Sequence, residues 1–297
     1  MSNLDERLER LAELGGAAWD HWIHLREAFP DPRGPEYWAW LNTHGRRDLD
    51  GIAALLPPIP PAEIYRFSNT TNDWGYLLTA ASTYQMVMKI LADLGLTLGE
   101  VSRVLDFGCG PGRGLRCFIR HVNEAEFFGC DVDRDAIEWC RKEMPFGSYE
   151  VNAELPRTVY EDDQFDLVFS VSVFSHLSER SQTAWLEELA RIMRPGGHAI
   201  LTMHGLHALE RARNEQMMFD MIEVDRDLFE AAAKKVLEER GFGFIPQAGG
   251  HLTNDLYGVS FIHPDYVAEL YSRHFDIVEH RVADIDNWQD AVVLRAR

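Results

Sequence analysis

A glycine-rich stretch after a short apolar run constrains the fold of this chain more than any other segment. The run Arg103–Phe107 has the composition of a buried strand, and Gly108, Gly110, Gly112 and Gly114 follow at alternate positions. Helical spacing of apolar residues resumes directly after the glycines. A strand, a glycine loop and a helix in this order bring bare backbone and a helix N-terminus together. The stretch therefore predicts a ligand site.

The register of the glycines decides between the ligands that bind such loops. The dinucleotide fingerprint G-x-G-x-x-G would need glycine where the chain has Arg113 or Leu115. A P-loop would need Lys-Ser or Lys-Thr after the loop, and neither follows. Asp106 lies just before the loop, where a carboxylate repels a pyrophosphate and attracts an ammonium or sulfonium group. The stretch therefore favours a ligand that carries positive charge.

Apolar segments that read as strands alternate with helical segments through the middle of the chain. Besides Arg103–Phe107, strands are predicted at 126–131, 148–153, 165–171 and 198–203. This alternation predicts an α/β doubly wound parallel sheet, which binds ligands at the carboxyl ends of its strands. Polar residues from separate segments fall at those ends: Asp106, Asp131, Asn152, Ser172 and His204.

Two of these residues have the chemistry to bind an adenosine. Asp131 ends the second strand, about twenty residues after the glycine loop, where a carboxylate can accept both ribose hydroxyls. Asn152 follows the third strand and can hydrogen-bond the edge of an adenine. Asp133 and Asp135 have the positions of a helix cap and a first-turn charge instead.

The pattern D-x-G-x-G-x-G at residues 106–112 resembles motif I of the class I S-adenosylmethionine-dependent methyltransferases. The resemblance extends over about residues 57–297 and is closest to bacterial methyltransferase-domain proteins. Its further elements are residues 170–178 after the fourth strand, a Trp-Leu-Glu-Glu-Leu helix, an Arg-Pro-Gly-Gly turn and the closing strand at 289–294. It implies a Rossmann-like, mostly parallel sheet whose last strand is antiparallel.

The resemblance also implies S-adenosylmethionine as cofactor and assigns residues to it. The glycine loop would hold the methionine part, Asp106 would lie near the ammonium, Asp131 would bind the ribose, and Asn152 with Ala153 would lie by the adenine. Asn152 replaces the aspartate common at that place, and an amide still hydrogen-bonds the adenine amino group. The expected cofactor-binding residues are Asp106, Gly108, Cys109, Gly110, Gly112, Asp131, Val132, Asn152, Ala153, Ser170 and Ser172.

Methyl transfer to a hydroxyl also needs a group that removes the hydroxyl proton. His204, at the end of the fifth strand, is the first candidate base, His176 the second and His251 the third. His204, His207 and Glu210 have helical spacing that would suit metal ligands, but a solvated helix face has the same pattern, and no metal is expected.

The remaining segments predict two additions to the sheet domain. Residues 1–56 form an aromatic-rich helical extension with a break at Gly15 and Gly16. A proline-rich linker follows, and the loop at 65–74 has residues typical of a ligand-lining or helix-capping loop. Residues 57–297 form the methyltransferase domain, in which a charged helical and then Gly-rich insertion at 205–262 covers the substrate end. The aromatic residues of the extension pack on the domain or form a homodimer contact.

Composition excludes several function classes. The net charge of −19 disfavours nucleic acid and anionic membrane surfaces as partners. Without a signal sequence, an apolar span or C-x-x-C spacing, the chain is expected to be cytoplasmic with buried, reduced cysteines.

From the resemblance we expect methyl transfer to a hydroxyl of a small molecule, most simply a sugar, glycan or secondary metabolite. The alternatives are an N- or carboxyl-methyltransferase and a non-catalytic S-adenosylmethionine-binding regulator.

Overall fold

The computed structural model describes residues 3–65, 72–247 and 252–297. Strands and helices alternate through the middle of the chain. The strands are β1 (Arg103–Phe107), β2 (Glu126–Asp131), β3 (Gly147–Val151), β4 (Phe165–Ser170), β5 (Met193–Met203), β6 (Phe242–Pro246), β7 (Gly258–Ile262), β8 (Phe275–Ile285) and β9 (Gln289–Ala296).

The helices comprise a group before β1 and others between the strands. They are α1 (Asn3–His21), α2 (Ile23–Ala28), α3 (Pro35–Trp40), α4 (Arg46–Asp48), α5 (Ile52–Leu55), α6 (Asp73–Asp93), α7 (Arg134–Glu143), α8 (Glu179–Ile192), α9 (Leu206–Asn214), α10 (Gln216–Met221), α11 (Arg226–Glu238) and α12 (Pro264–Tyr271). Within the described ranges, no helix is both long and apolar enough to cross a membrane.

Seven of the strands form one sheet in the order β3-β2-β1-β4-β5-β9-β8. β1 pairs parallel to β4, and β4 pairs parallel to β5, whereas β9 is antiparallel to both β5 and β8. All residues of β4 are buried, as expected for a central strand that is covered on both faces. The structure thus confirms the predicted Rossmann-like sheet, including its antiparallel last strand.

The described chain divides into two compact units, and their boundary does not follow the expected one after residue 56. The first unit comprises residues 1–100, 109–129 and 133–149, and the second comprises 101–108, 130–132 and 150–297. In the first unit, Trp38 is buried and donates from Nε1 to the carbonyl oxygen of Cys117, 2.5 Å away. Residues of the predicted extension therefore share a core with the segment after the glycine loop.

The predicted helix break at Gly15 and Gly16 is wrong, because α1 continues through both glycines. A Cβ at Gly15 would lie 2.9 Å from Cδ1 of Leu41, and the Tyr37 hydroxyl donates to the Gly15 carbonyl oxygen at 2.7 Å. The missing side chain at Gly15 thus permits close packing between helices. The residues after the linker at 56–61 lie partly outside the described ranges, which exclude 66–71.

The insertion at 205–262 contains α9, α10 and α11, as its charged helical pattern predicts, and also the antiparallel hairpin of β6 and β7. Its buried apolar side chains, together with Trp288 from the β8–β9 turn, form a separate cluster. β7 and the residues just before it bond to the segment that follows β4. The Gly258 N–H donates to the His176 carbonyl oxygen, and the Ser260 N–H donates to that of Ser175, both at 2.9 Å.

Candidate functional site

The glycine loop has the backbone conformation that its sequence requires. Gly108, Gly110 and Gly112 have φ angles of 77°, 50° and 73°, which favour glycine. At Gly108, a Cβ would come within 2.2 Å of a methyl carbon of Val173, so the position also excludes a side chain sterically. At Gly110, no atom lies within 4 Å of the place of a Cβ, so the backbone there borders open space. Such open backbone fits a ligand that approaches the main chain closely.

Cys109 lies in the same loop with its side chain turned to the interior. The thiol is buried, and its sulfur packs 2.8 Å from where a Cβ at Gly129 would lie. Only the backbone of Cys109 is therefore suited to a cofactor contact. Cys117, Cys130 and Cys140 are also buried and free, which confirms the prediction of core thiols. Burial raises the pKa of Cys117 to about 12, so this thiol stays protonated and unreactive.

The predicted adenosine-binding residues lie together at the carboxyl ends of β1, β2 and β3. The Gly108 N–H donates to the Cys130 carbonyl oxygen at 2.8 Å, and the Asn152 N–H donates to that of Asp131 at 3.0 Å. These bonds hold the start of the glycine loop and the residue after β3 beside the end of β2. Asp106 is buried, and Asp131 is half-buried. Two carboxylates and an amide thus come from three separate strands.

Asn152 supplies the test of whether these residues fit an adenine. Its Nδ2 donates to the Ala153 carbonyl oxygen at 2.8 Å. Its Oδ1 is buried, and no described residue donates a hydrogen bond to it. A buried acceptor without a partner costs free energy unless a ligand donor completes it, as an adenine amino group would. Val132 is half-buried and Ala153 is exposed beside these polar groups, so the set fits S-adenosylmethionine.

Ser170 requires a correction, because it does not lie in the predicted cofactor site. The residue is fully buried, and its hydroxyl donates to the Phe107 carbonyl oxygen at 2.8 Å. This bond links the end of β4 to the end of β1. The structure therefore assigns Ser170 to the core of the sheet, where its hydroxyl satisfies a backbone group.

Ser172 belongs to a closed ring of hydrogen bonds that the sequence did not reveal. The Ser172 N–H donates to Thr202 Oγ1 at 2.8 Å, and the Thr202 hydroxyl donates to Gln289 Oε1 at 2.6 Å. Gln289 Nε2 donates back to Ser172 Oγ at 2.8 Å. Ser172 also has a φ of 60°, an unusual value for a residue with a side chain. The ring fixes the half-exposed Ser172 hydroxyl, which keeps its own proton to donate.

His204 is also placed differently from the prediction, because both of its ring nitrogens already have partners. Nδ1 donates to the Ser260 carbonyl oxygen at 3.2 Å, and Nε2 accepts from Trp288 Nε1 at 2.9 Å. Burial, and next the nearby charge of His176, lower the pKa of His204 to about 3. A base needs a free nitrogen lone pair and access to the substrate, and His204 has neither. The structure therefore argues against the predicted role of His204 as the general base.

His176 has the properties that His204 lacks. Its Nδ1 lies 2.8 Å from the Gly258 carbonyl oxygen, which can only accept, so Nδ1 carries the proton. Nε2 is then the nitrogen with the lone pair, on a half-buried ring that stacks on Tyr257 at 5.4 Å. Burial lowers the pKa of His176, which keeps the ring neutral near pH 7. The third candidate, His251, lies outside the described residues.

A third histidine near this edge of the sheet, His280, was missed by the sequence reasoning. His280 Nε2, on β8, lies 2.8 Å from the carboxylate of Asp290, which is almost completely buried. Asp290 also accepts from the Ala283 N–H at 2.9 Å and packs against Gly205. The sequence signal for this pair is the alternation of apolar and polar residues in β8 and β9. That alternation does not show which residues of the two strands lie opposite each other. Among the described residues, no group of three or more His, Cys, Asp or Glu could hold a metal ion.

Comparison with known proteins agrees with this fold. Residues 104–197 match the family described as "Methyltransferase domain", which includes β1, the glycine loop and β4. A solved protein from Pyrococcus horikoshii shares the fold, with a TM-score of 0.52, 17% identity and coverage of 80% of this chain and 100% of that one. Residues 104–197 thus resemble a methyltransferase domain, and the residues at the carboxyl ends of β1, β2 and β3 fit S-adenosylmethionine.

The similar curated proteins are methyltransferases with different acceptors. The fatty-acid O-methyltransferase of Mycolicibacterium smegmatis is 31% identical over 49% of this chain and 48% of that one. The trans-aconitate 2-methyltransferase of Rhizobium rhizogenes is 35% identical over 30% of this chain and 33% of that one. The chain thus spans less than half the length of these relatives in the matched regions.

Proposed function

We propose that this protein transfers a methyl group from S-adenosylmethionine to a hydroxyl of a small molecule, with His176 as the general base. The observation that carries the proposal is the orientation of the His176 ring. The bond from Nδ1 to the Gly258 carbonyl oxygen leaves Nε2 as a proton acceptor beyond the end of β4. Ligands bind at this edge in doubly wound sheets.

Each part of the cofactor has residues suited to hold it. The open backbone at Gly110 would lie along the methionine part, Asp106 would attract its ammonium, and Asp131 would accept from the ribose hydroxyls. The Asn152 Oδ1 would accept from the adenine amino group. When bound, S-adenosylmethionine supplies a methyl group that its positively charged sulfur already activates. The protein then has to align the acceptor and exclude water.

The acceptor end supplies a base and a hydrogen-bond donor. His176 would take the hydroxyl proton at Nε2, while its Nδ1 keeps its own proton and donates it to the Gly258 carbonyl oxygen, which fixes the tautomer. Ser172 Oγ accepts from Gln289, so its own proton can be donated to an acceptor oxygen. His204 would position the Ser260 backbone and the Trp288 ring without exchanging a proton. The insertion at 205–262 would cover this end as a lid.

We propose a sugar, a glycan or a secondary metabolite as the acceptor, on the basis of the family resemblance. Nucleic acid and membranes are not proposed as partners, since the net charge is −19. Carboxyl methylation is the second candidate, because the Mycolicibacterium relative is named for fatty acids. A carboxylate needs no proton removed, so the two candidates differ in their need for His176. A homodimer through the aromatic N-terminal segment and a cytoplasmic location remain part of the proposal.

The test begins with calorimetric titration of the full chain with S-adenosylmethionine and S-adenosylhomocysteine. Binding at micromolar concentrations would justify a screen of glycosides, hydroxylated metabolites and carboxylic acids for methyl transfer. On a hydroxyl acceptor, His176→Gln should lower kcat at least about 100-fold and leave S-adenosylhomocysteine affinity within about twofold. An unchanged kcat would favour the carboxyl-methyltransferase, and binding without any turnover would favour a regulator. Absence of binding would refute the proposed function.

A further inference from the structure

The first unit contains a cluster of arginines around the linker at 56–61. Arg46 Nη1 donates to the Pro57 carbonyl oxygen at 3.0 Å, and the Arg116 guanidinium donates to the same oxygen. Arg7 donates from Nε to the Leu55 carbonyl oxygen at 2.5 Å. Guanidinium groups from α1, α4 and the turn after the glycine loop therefore converge on one short segment of backbone.

The positive charge of this cluster is not balanced within the described part of the chain. No described carboxylate forms an ion pair with Arg7, Arg46 or Arg116. Asp73 is near enough to act on Arg46 through space, and it accepts from the Tyr65 hydroxyl. The chain has a net charge of −19, so carboxylates are abundant, and yet none of those described pairs with these three arginines. Backbone carbonyls carry only partial charge and do not neutralise it.

Because these arginines are partly or fully buried, their lack of a negatively charged partner costs free energy. Arg116 is only 1% exposed, and its Nε is buried with no described partner. Burial, and then the charges of Arg116 and Arg7, lower the pKa of Arg46 to about 10. Like charges that are held together out of water destabilise a fold unless an anion completes them. Arg7 and Arg46 are partly exposed, so a ligand has a route from solvent.

Bracing of the linker alone does not explain the cluster. Each guanidinium has five N–H donors in a planar fork, and each uses one in its bond to the linker. Arg116 additionally hydrogen-bonds the Tyr76 hydroxyl and lies over the Tyr76 ring, 5.3 Å from its centre. Donors therefore remain that match the paired oxygens of a carboxylate or a phosphate.

We propose that Arg46 and Arg116, with Arg7 beside them, form an oxyanion-binding site that takes a carboxylate or phosphate group. Two sources supply this chemistry: the carboxylate of the cofactor's methionine part, or an anionic group on a second ligand. The first source is favoured by Tyr76, whose hydroxyl donates to the Pro111 carbonyl oxygen of the glycine loop at 3.1 Å. That source rests on the proposed function, whereas the anion site itself does not.

The test uses the full chain and three probes: S-adenosylhomocysteine, 5′-deoxy-5′-methylthioadenosine, which lacks the amino-acid part, and inorganic phosphate. Affinities come from calorimetry, and the effect of phosphate from the thermal midpoint. Arg46→Gln keeps an N–H for the Pro57 carbonyl and removes the charge. Arg47→Gln is the matched control, because Arg47 is 61% exposed and already paired with Asp48. Arg7→Gln serves as a second variant.

If the cofactor is the source, Arg46→Gln lowers S-adenosylhomocysteine affinity at least about tenfold and leaves methylthioadenosine affinity unchanged. If a second ligand is the source, both nucleoside affinities stay unchanged and the stabilisation by phosphate is lost. In either case Arg47→Gln behaves as wild type. Equal responses of wild type, Arg46→Gln and Arg7→Gln to all three probes would overturn the site. A wild type that binds neither nucleoside refutes the methyltransferase proposal, and the phosphate response still tests the arginines.

Discussion

The carboxyl edge of the sheet carries two polar regions that are built in opposite ways. The cofactor region, at Asp106, Asp131 and Asn152, contains a buried amide oxygen of Asn152 with no described partner. The histidine region, at Ser172, His176, His204 and Gln289, contains side chains that hydrogen-bond to other groups of the protein. In the cofactor region a ligand would supply the missing partner of the Asn152 oxygen, whereas in the histidine region the protein itself supplies the hydrogen-bond partners.

This contrast separates the effects of substitutions on binding from their effects on stability. A change in the cofactor region should weaken cofactor binding and leave the free protein folded as before. A change in the hydrogen-bond ring of the histidine region should destabilise the free protein.

Asp131→Ala should lower the affinity for S-adenosylhomocysteine about 100-fold, because hydrogen bonds to a charged acceptor contribute about 1.5–3 kcal/mol each. Calorimetric titration measures this loss. Asp135→Ala is the matched control, since Asp135 is an exposed carboxylate in the first turn of α7. An equal loss in both variants would mean that general negative charge, and not ribose binding, explains the effect.

Gln289→Leu should lower the free energy of unfolding by about 2 kcal/mol, because it leaves the Thr202 hydroxyl proton without its acceptor and Ser172 Oγ without its donor. Denaturant titration measures the change. Gln216→Leu is the control, because Gln216 bonds only an exposed Asp220 and should have little effect. If Gln289→Leu retained wild-type stability, the ring would not be a structural support and the contrast would fail.

His204 should make the protein sensitive to acid. Its pKa is about 3 in the folded protein and about 6.5 in the unfolded chain, so the unfolded chain binds more protons between these values. The free energy of unfolding should therefore fall as pH decreases from about 6.5, by up to about 1.4 kcal/mol per pH unit. Chemical denaturation of wild type and His204→Asn between pH 7 and 5 measures this slope. The slope should be smaller in His204→Asn and unchanged in His24→Asn, an exposed control.

Asn152→Ala should have the smallest effect, a loss of about fivefold in S-adenosylhomocysteine affinity from one neutral hydrogen bond. The thermal midpoint of the free protein should change little, because the substitution removes a buried oxygen that has no described partner together with one exposed hydrogen bond, from Nδ2 to the Ala153 carbonyl oxygen. Differential scanning calorimetry with and without ligand separates the two effects. A lower midpoint without ligand would assign Asn152 to the structural class of residues instead.

The cofactor region could be predicted because its signals are local. Gly108 and Gly110 adopt backbone conformations that favour glycine. Asp131 is the last residue of an apolar strand. The sequence position of each residue therefore determines its location on the edge. The alternation of strands and helices had the same local character, which is why the sheet could be predicted.

The histidine region depends on partners that are distant in the sequence. His204 is separated by 84 residues from the Trp288 side chain that occupies its Nε2. The β6–β7 hairpin was read as Gly-rich sequence, although Gly243 and Gly258 are required there for close approach to neighbouring carbonyl groups. Registers across such distances are set by packing, and no periodicity in the chain reports them. The position of His204 at the end of a strand therefore predicts a base, although its two distant partners argue against that role.

The separate apolar cluster of the insertion has a consequence for how this protein could acquire new acceptors. The buried apolar residues of α9, α10, α11, β6 and β7 in this cluster pack on one another, with Trp288 contributed from the β8–β9 turn. The sequence of such a segment can vary independently, because substitutions inside it do not alter the residues of β1, β2 or the glycine loop. Replacing the insertion by that of a homologous chain, with Trp288 and His176 retained, should change the selectivity for the acceptor. The residues of the cofactor region would stay the same.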